Sequence, residues 1–132
     1  MDGSQTGGLD NGAAAAWLQC VLERFDDVAL VDIAFDLVAE AEGRGNVSRC
    51  QEAIAAAELV AAAGRKPRPG LDAETLAWVE RNWTLLWQER RRIALATVTV
   101  VLKSSALADR WKERADFVAW RSDVENLLER LS

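Results

Sequence analysis

Apolar side chains recur at spacings of three and four along most of this chain, and that period leaves room for helices and for little else. Asp10 and Asn11, good helix-capping types, precede Ala13 to Arg24, where Trp17, Leu18, Val21, Leu22 and Phe25 share one face. Val28 to Glu42 shows no period-two alternation; its acids Asp32, Asp36 and Glu40 stand four apart, Leu30, Ala34, Leu37 and Ala41 lie opposite them, and Gly43 supplies a stop. Ser48 with Gln51 has the pattern of a capping box, and Ala53 to Ala63 forms an alanine-rich helix with one internal charge, Glu58, closed by Gly64. Asp72 caps a segment with Leu76, Val79 and Trp83 on one side. Leu85, Leu86, Ile93, Leu95, Val98 and Leu102 continue the helical spacing, although Ala96 to Val101 reads ATVTVV, which has strand propensity. Helix is favoured there because no second strand candidate exists to pair with it. Ser104 or Ser105 can cap a last segment carrying Leu107, Trp111, Phe117, Trp120, Val124, Leu127 and Leu131, with a break near Ala115.

The expectation is therefore an all-α, compact single-domain bundle of five or six helices over residues 10–132, following a flexible N-terminus at residues 1–9. The sequence GRKPRPG at residues 64–70 is the clear loop. A chain of 132 residues buries roughly two-thirds of its unfolded surface, enough for one independent core. The longest uncharged stretch, Ile93 to Leu102, is about half of the ~20 residues that a membrane span requires. The N-terminus shows no cationic region followed by an apolar one, so a cytoplasmic location is expected, with Cys20 and Cys50 as reduced thiols.

Charge divides the chain at the loop. Residues 1–64 carry eleven acids against Arg24, Arg44 and Arg49, and residues 65–132 carry ten acids against thirteen bases, for a net charge of −5. The acidic half attracts cationic partners and repels phosphate backbones. The chain has neither His nor Tyr, so the usual general base and the commonest metal ligand are missing, and a binding protein is a better expectation than an enzyme. At about 100° per residue, Asp32, Asp36 and Glu40 form one stripe, with Asp26 and Asp27 just ahead of it. Asp26, Asp27, Asp32, Asp36 and Glu40 are the candidate partner-binding residues, their oxygens expected to stay free until a cation covers them. Acids splayed along one helix do not make a metal site, and no Glu-x-x-His pair can be formed, so neither metal nor cofactor is expected. Arg90, Arg91 and Arg92 point in three directions on a helix, which argues against a nucleic-acid patch and for solvated or internally paired cations. Trp78 and Trp87 fit their helical stripes least well, so they are contact candidates, with packing the more ordinary role. Glu58, if buried, needs an arginine partner from the C-terminal half.

Three blocks carry a resemblance. They are Gly7 to Leu18, which keeps Asn11, an alanine and Trp17-Leu18; Ala55 to Ala62 with Gly64-Arg65-Lys66-Pro67; and Ser105 to Trp111 with Trp120 beyond. In their order along the chain they resemble the small bacterial proteins of domain-of-unknown-function family 4259. The resemblance implies a small helical domain with no established activity and structural roles for Asn11, Trp17, Glu58 and Trp111. In size, acidity and lack of catalytic residues the chain is also similar to bacterial immunity proteins, which occlude a cognate toxin. On that analogy of type the expected partner is a toxin with a basic surface, a nuclease, and neither nucleic acid nor membrane. The alternative is a helical interaction or regulatory subunit without a toxin partner.

Overall fold

The computed structural model describes residues 11–24 and 27–132. These fold into seven α-helices: α1 Gly12–Leu22, α2 Ala29–Glu40, α3 Val47–Ala63, α4 Ala73–Arg81, α5 Glu89–Lys103, α6 Ala106–Lys112 and α7 Phe117–Leu131, with a π-helical turn at Thr84–Gln88 leading into α5. The all-α expectation holds, and the ATVTVV segment is helical inside α5. The number of helices exceeds the expected five or six because the last segment divides at Glu113 to Asp116, and the stretch after Asp72 divides at the π turn.

The axis of the bundle is α3. Every residue from Ala53 to Ala63 is buried, and the helix packs against all six others. Apart from Glu58 this stretch is apolar on every side and has no solvent face to offer, and its alanines let neighbouring backbones come close. The caps explain where the elements begin. Asn11, Asp72 and Ser105 each accept from a backbone N–H three residues on, at 2.8, 2.8 and 3.0 Å. The start of α3 differs from the capping box expected at Ser48: Asn46 Oδ1 takes the Ser48 N–H at 2.6 Å, so the helix begins two residues earlier.

The ends of α2 and α3 share one device. Glu42 N–H reaches Ala39 O and Gly43 N–H reaches Val38 O; Arg65 N–H reaches Ala62 O and Lys66 N–H reaches Ala61 O. This double closure needs a left-handed residue at the first position past the cap. Glu42 (φ 52°) and Arg65 (φ 66°) occupy it, although glycines lie beside them. Gly64 is required for another reason: a Cβ there would stand 2.4 Å from the Trp87 ring. The π turn adds a residue to the helical repeat just where Trp87 must meet that glycine.

Register also corrects α4. Leu76 and Trp83, expected inside, are each 40% exposed, whereas Trp78 is fully buried with its Nε1 donating to Arg24 O at 2.9 Å. The buried side of this segment is Thr75, Trp78, Val79 and Asn82, because α4 closes over α1 and α3 through its largest side chain. Trp87 is half-buried against the core with Arg91 over its ring.

Candidate protein-binding face on α2

The core stripe of α2 is Val31, Ala34, Phe35 and Val38, spaced by three, one and three, which turns Asp32, Asp36 and Glu40 outward. Phe35, next to Asp36 in sequence, is wholly buried, whereas Ile33 is 49% exposed.

The five predicted residues do not form one unpaired surface. Asp26 lies outside the described residues. Asp27 serves the entry to α2: it accepts from the Ala29 N–H at 2.7 Å and from Arg24 at 2.8 and 3.2 Å, and these bonds, the backbone one foremost, hold its carboxyl below the ordinary aspartate range. Asp32 is gripped on both oxygens by Arg90, at 2.6 Å from Nε and 3.0 Å from Nη2. That fork, chiefly its hydrogen bonds, raises the Arg90 pKa and neutralises the acid. It also accounts for one member of the arginine triplet, and a second, Arg91, donates to Leu131 O at 3.2 Å, so these two point to separate partners.

Asp36 and Glu40 differ. Both are exposed, and among the described residues no hydrogen bond or ion pair reaches either side chain. The same holds for Glu42, which the sequence reading missed although it follows Glu40 by two positions. Its left-handed backbone turns it away from the helical stripe, a deviation that periodicity has no means to show.

Two grooves border this ridge. One, about 510 Å³, lies between the C-terminal ends of α2 and α5 and is lined by Ala39, Glu42, Thr99, Val100, Lys103 and Ser104. The other, about 280 Å³, is formed with α1 and α3 by Trp17, Cys20, Leu30, Ile33 and Ala34, with Arg49 and Glu52 also in its wall. Both are mainly apolar. Among the described residues no group of three or more His, Cys, Asp or Glu is arranged to hold a metal ion, and no helix is long and apolar enough to cross a membrane.

The family model described as Domain of unknown function (DUF4259) matches residues 4–123. The chain belongs to this family. No curated protein and no solved structure matches it. The residues that suggested DUF4259 make structural contacts. Asn11 caps α1, Trp17 is buried, and Trp111 stacks on Trp120 with ring centroids 6.1 Å apart. Glu58, fully buried, has the arginine partners expected of it: Arg130 at 2.8 and 3.2 Å and Arg68 at 2.9 Å, the latter also bound to Asp123 at 3.3 Å. Burial pulls the Arg68 guanidinium down, but attraction to Glu58 and Asp123 outweighs it and leaves the group above its ordinary value. This DUF4259 chain thus places a satisfied acid inside the bundle and unsatisfied ones on α2.

Proposed function

We propose that this chain is a non-catalytic binding protein of the immunity type, which neutralises a cognate toxin by laying Asp36, Glu40 and Glu42 over a basic surface. The observation that carries the reading is selective pairing: Asp27 and Asp32 are bonded to the chain's own arginines, while the next acids along α2 have no cation among the described residues. Like charges four apart cost a helix about 0.2–0.5 kcal/mol, so Asp36 and Glu40 contribute nothing to the fold that explains their placement. A local carboxylate field does speed encounter with a cationic cleft, and a nuclease active site, shaped for phosphate, is a natural recipient.

A regulatory interaction subunit with a different partner is favoured by one further observation. Ile33, Ile93 and Val100 are exposed on the same two helices, and phosphate mimicry has no use for apolar contact. In either case the acids are the steering element. The test is affinity capture from the native host at low salt with the wild-type chain and with Asp36→Lys/Glu40→Lys. The expected result is a basic protein that only the wild type retains and that high salt releases. Equal retention by both chains rejects the α2 face, and a toxin reading frame beside the gene separates immunity from the alternative.

A further inference from the structure

The seam between α2 and α5 carries apolar surface that electrostatic steering leaves unused. Ile93 is 43% exposed and Val100 37%; seven residues apart, they share one face of α5, with exposed Ala96 between them. Val100 and Ala39 also line the 510 Å³ groove. The two helices run side by side in the same direction. Arg90 at the start of α5 grips Asp32 near the start of α2, and Lys103 at the end of α5 shares the groove with Glu42 just past the end of α2. The groove itself occupies the C-terminal ends of the two helices, and exposed Ala96 and Ile93 continue the same face of α5 back toward its start.

Its walls are locked before any partner arrives. The Ala106 N–H donates to Gly43 O at 2.9 Å, tying the end of α2 to the α5–α6 junction. A Cβ on Gly43 would lie 2.5 Å from Ser104 O, so the two chain segments are in close contact there. A preformed furrow needs little ordering on binding.

Charge decides what fits. The α2 side presents Asp36, Glu40 and Glu42, none of them in an ion pair among the described residues, against the single Lys103 in the groove, and this acidic excess disfavours nucleic acid and an anionic membrane. The spacing of Ile93 and Val100, two turns apart, matches the i, i+3, i+4, i+7 stripe of another helix, and no sheet edge exists among the described residues for an extended strand to join. We propose that this furrow receives a basic amphipathic α-helix of a partner protein, its apolar stripe on Ile93, Ala96 and Val100 and its Lys or Arg residues against the α2 acids. This rests on the reading of α2 as the contact face and adds the structure of what it contacts.

The test uses the full chain and a fluorescently labelled 18-residue peptide with Leu at i, i+3, i+4 and i+7 repeats and Lys along one flank. Fluorescence anisotropy compares it with a scrambled peptide of the same composition. The wild type should bind the amphipathic peptide about tenfold more tightly than the scrambled one, and Ile93→Ser/Val100→Ser should remove that preference. Asp36→Asn/Glu40→Asn should weaken binding by a similar factor at low salt, with helicity by circular dichroism unchanged in both variants. Equal affinity for the two peptides, or none for the amphipathic one, overturns the furrow; this comparison uses only the wild type, so it stands even where a variant misfolds. If the scrambled peptide binds equally well but still depends on Asp36 and Glu40, charge-guided docking survives without the furrow. Loss of both dependences removes both readings.

Discussion

Glu58 and Glu40 carry the same side chain under opposite conditions. Glu58 is wholly enclosed by the bundle, and both of its oxygens are taken by Arg130 and Arg68. Glu40 stands in solvent, with no cation among the described residues bonded to it. Inside, an ion in a weakly polarisable medium is tolerated only when its charge is matched by well-placed donors. Outside, water does that work, so a carboxylate without a partner costs the fold little and stays available. Asp32 lies between the two cases: partly exposed, yet held by a fork from Arg90. The contrast separates acids that hold the molecule together from acids that it presents.

The largest effect is expected at the buried end. Glu58→Ala takes the shared carboxylate from two guanidinium groups that are only 13% and 18% exposed, leaving Arg130 without an acid and Arg68 with Asp123 alone, and breaking a buried pair in this way costs about 3–5 kcal/mol. Urea unfolding should show a lower midpoint with an unchanged slope; a loss below about 1 kcal/mol would mean that Arg68 and Arg130 turn out to water instead. Asp32→Asn should cost far less, about 0.5–1 kcal/mol, because the pair it removes is half open to solvent. The same unfolding curves decide whether that fork ties α2 to α5 with more than surface strength.

Glu42→Gly tests the presented acids from the backbone. Glycine relieves a left-handed residue, whose conformation costs an L-residue about 1–2 kcal/mol, and returns part of that gain as entropy. A rise of up to about 1 kcal/mol in stability is expected together with weaker partner binding; a fall would show that the Glu42 side chain supports the fold. The smallest effect belongs to Asp36→Asn/Glu40→Asn. Removing that repulsion should leave stability unchanged or raise it by about 0.2–0.5 kcal/mol, measured by thermal unfolding, while partner association slows.

Acid titration draws the same line. The Asp109 carboxyl is lowered chiefly by its hydrogen bond from Arg44, and Asp27 by the Ala29 N–H and Arg24, relative to an ordinary value of 3.8. A depressed folded value means that the unfolded chain binds protons more readily. The stabilisation is therefore complete above about pH 3.8 and is lost as pH falls through the lower folded values. In an acid unfolding series, Asp109→Asn should flatten that decline.

The positions of helices and most of their caps were legible along the chain, because capping and amphipathic spacing involve residues within a few positions of one another. Asn11, Asp72, Ser105 and the break near Ala115 follow from such local rules. The need of Glu58 for arginines was equally legible, since a lone charge amid alanines has no other way to be buried. The candidate site was read less completely. Four-residue spacing picked out Asp36 and Glu40, but gave no sign that Asp32 would be claimed by Arg90, fifty-eight positions away. Nor did it reveal the left-handed turn that swings Glu42 toward α5, or the rotation that buries Trp78 and leaves Trp83 in solvent.

By itself, then, the order of residues determined that this DUF4259 chain is helical, where its helices start, and that its acids cluster ahead of the loop, all consequences of short-range geometry and composition. Only the tertiary structure decided which of those acids remain unpaired and which apolar side chains lie beside them. An ion pair or a groove depends on the distance between helices remote in sequence, and that distance is set by how α3 packs its small side chains against everything around it.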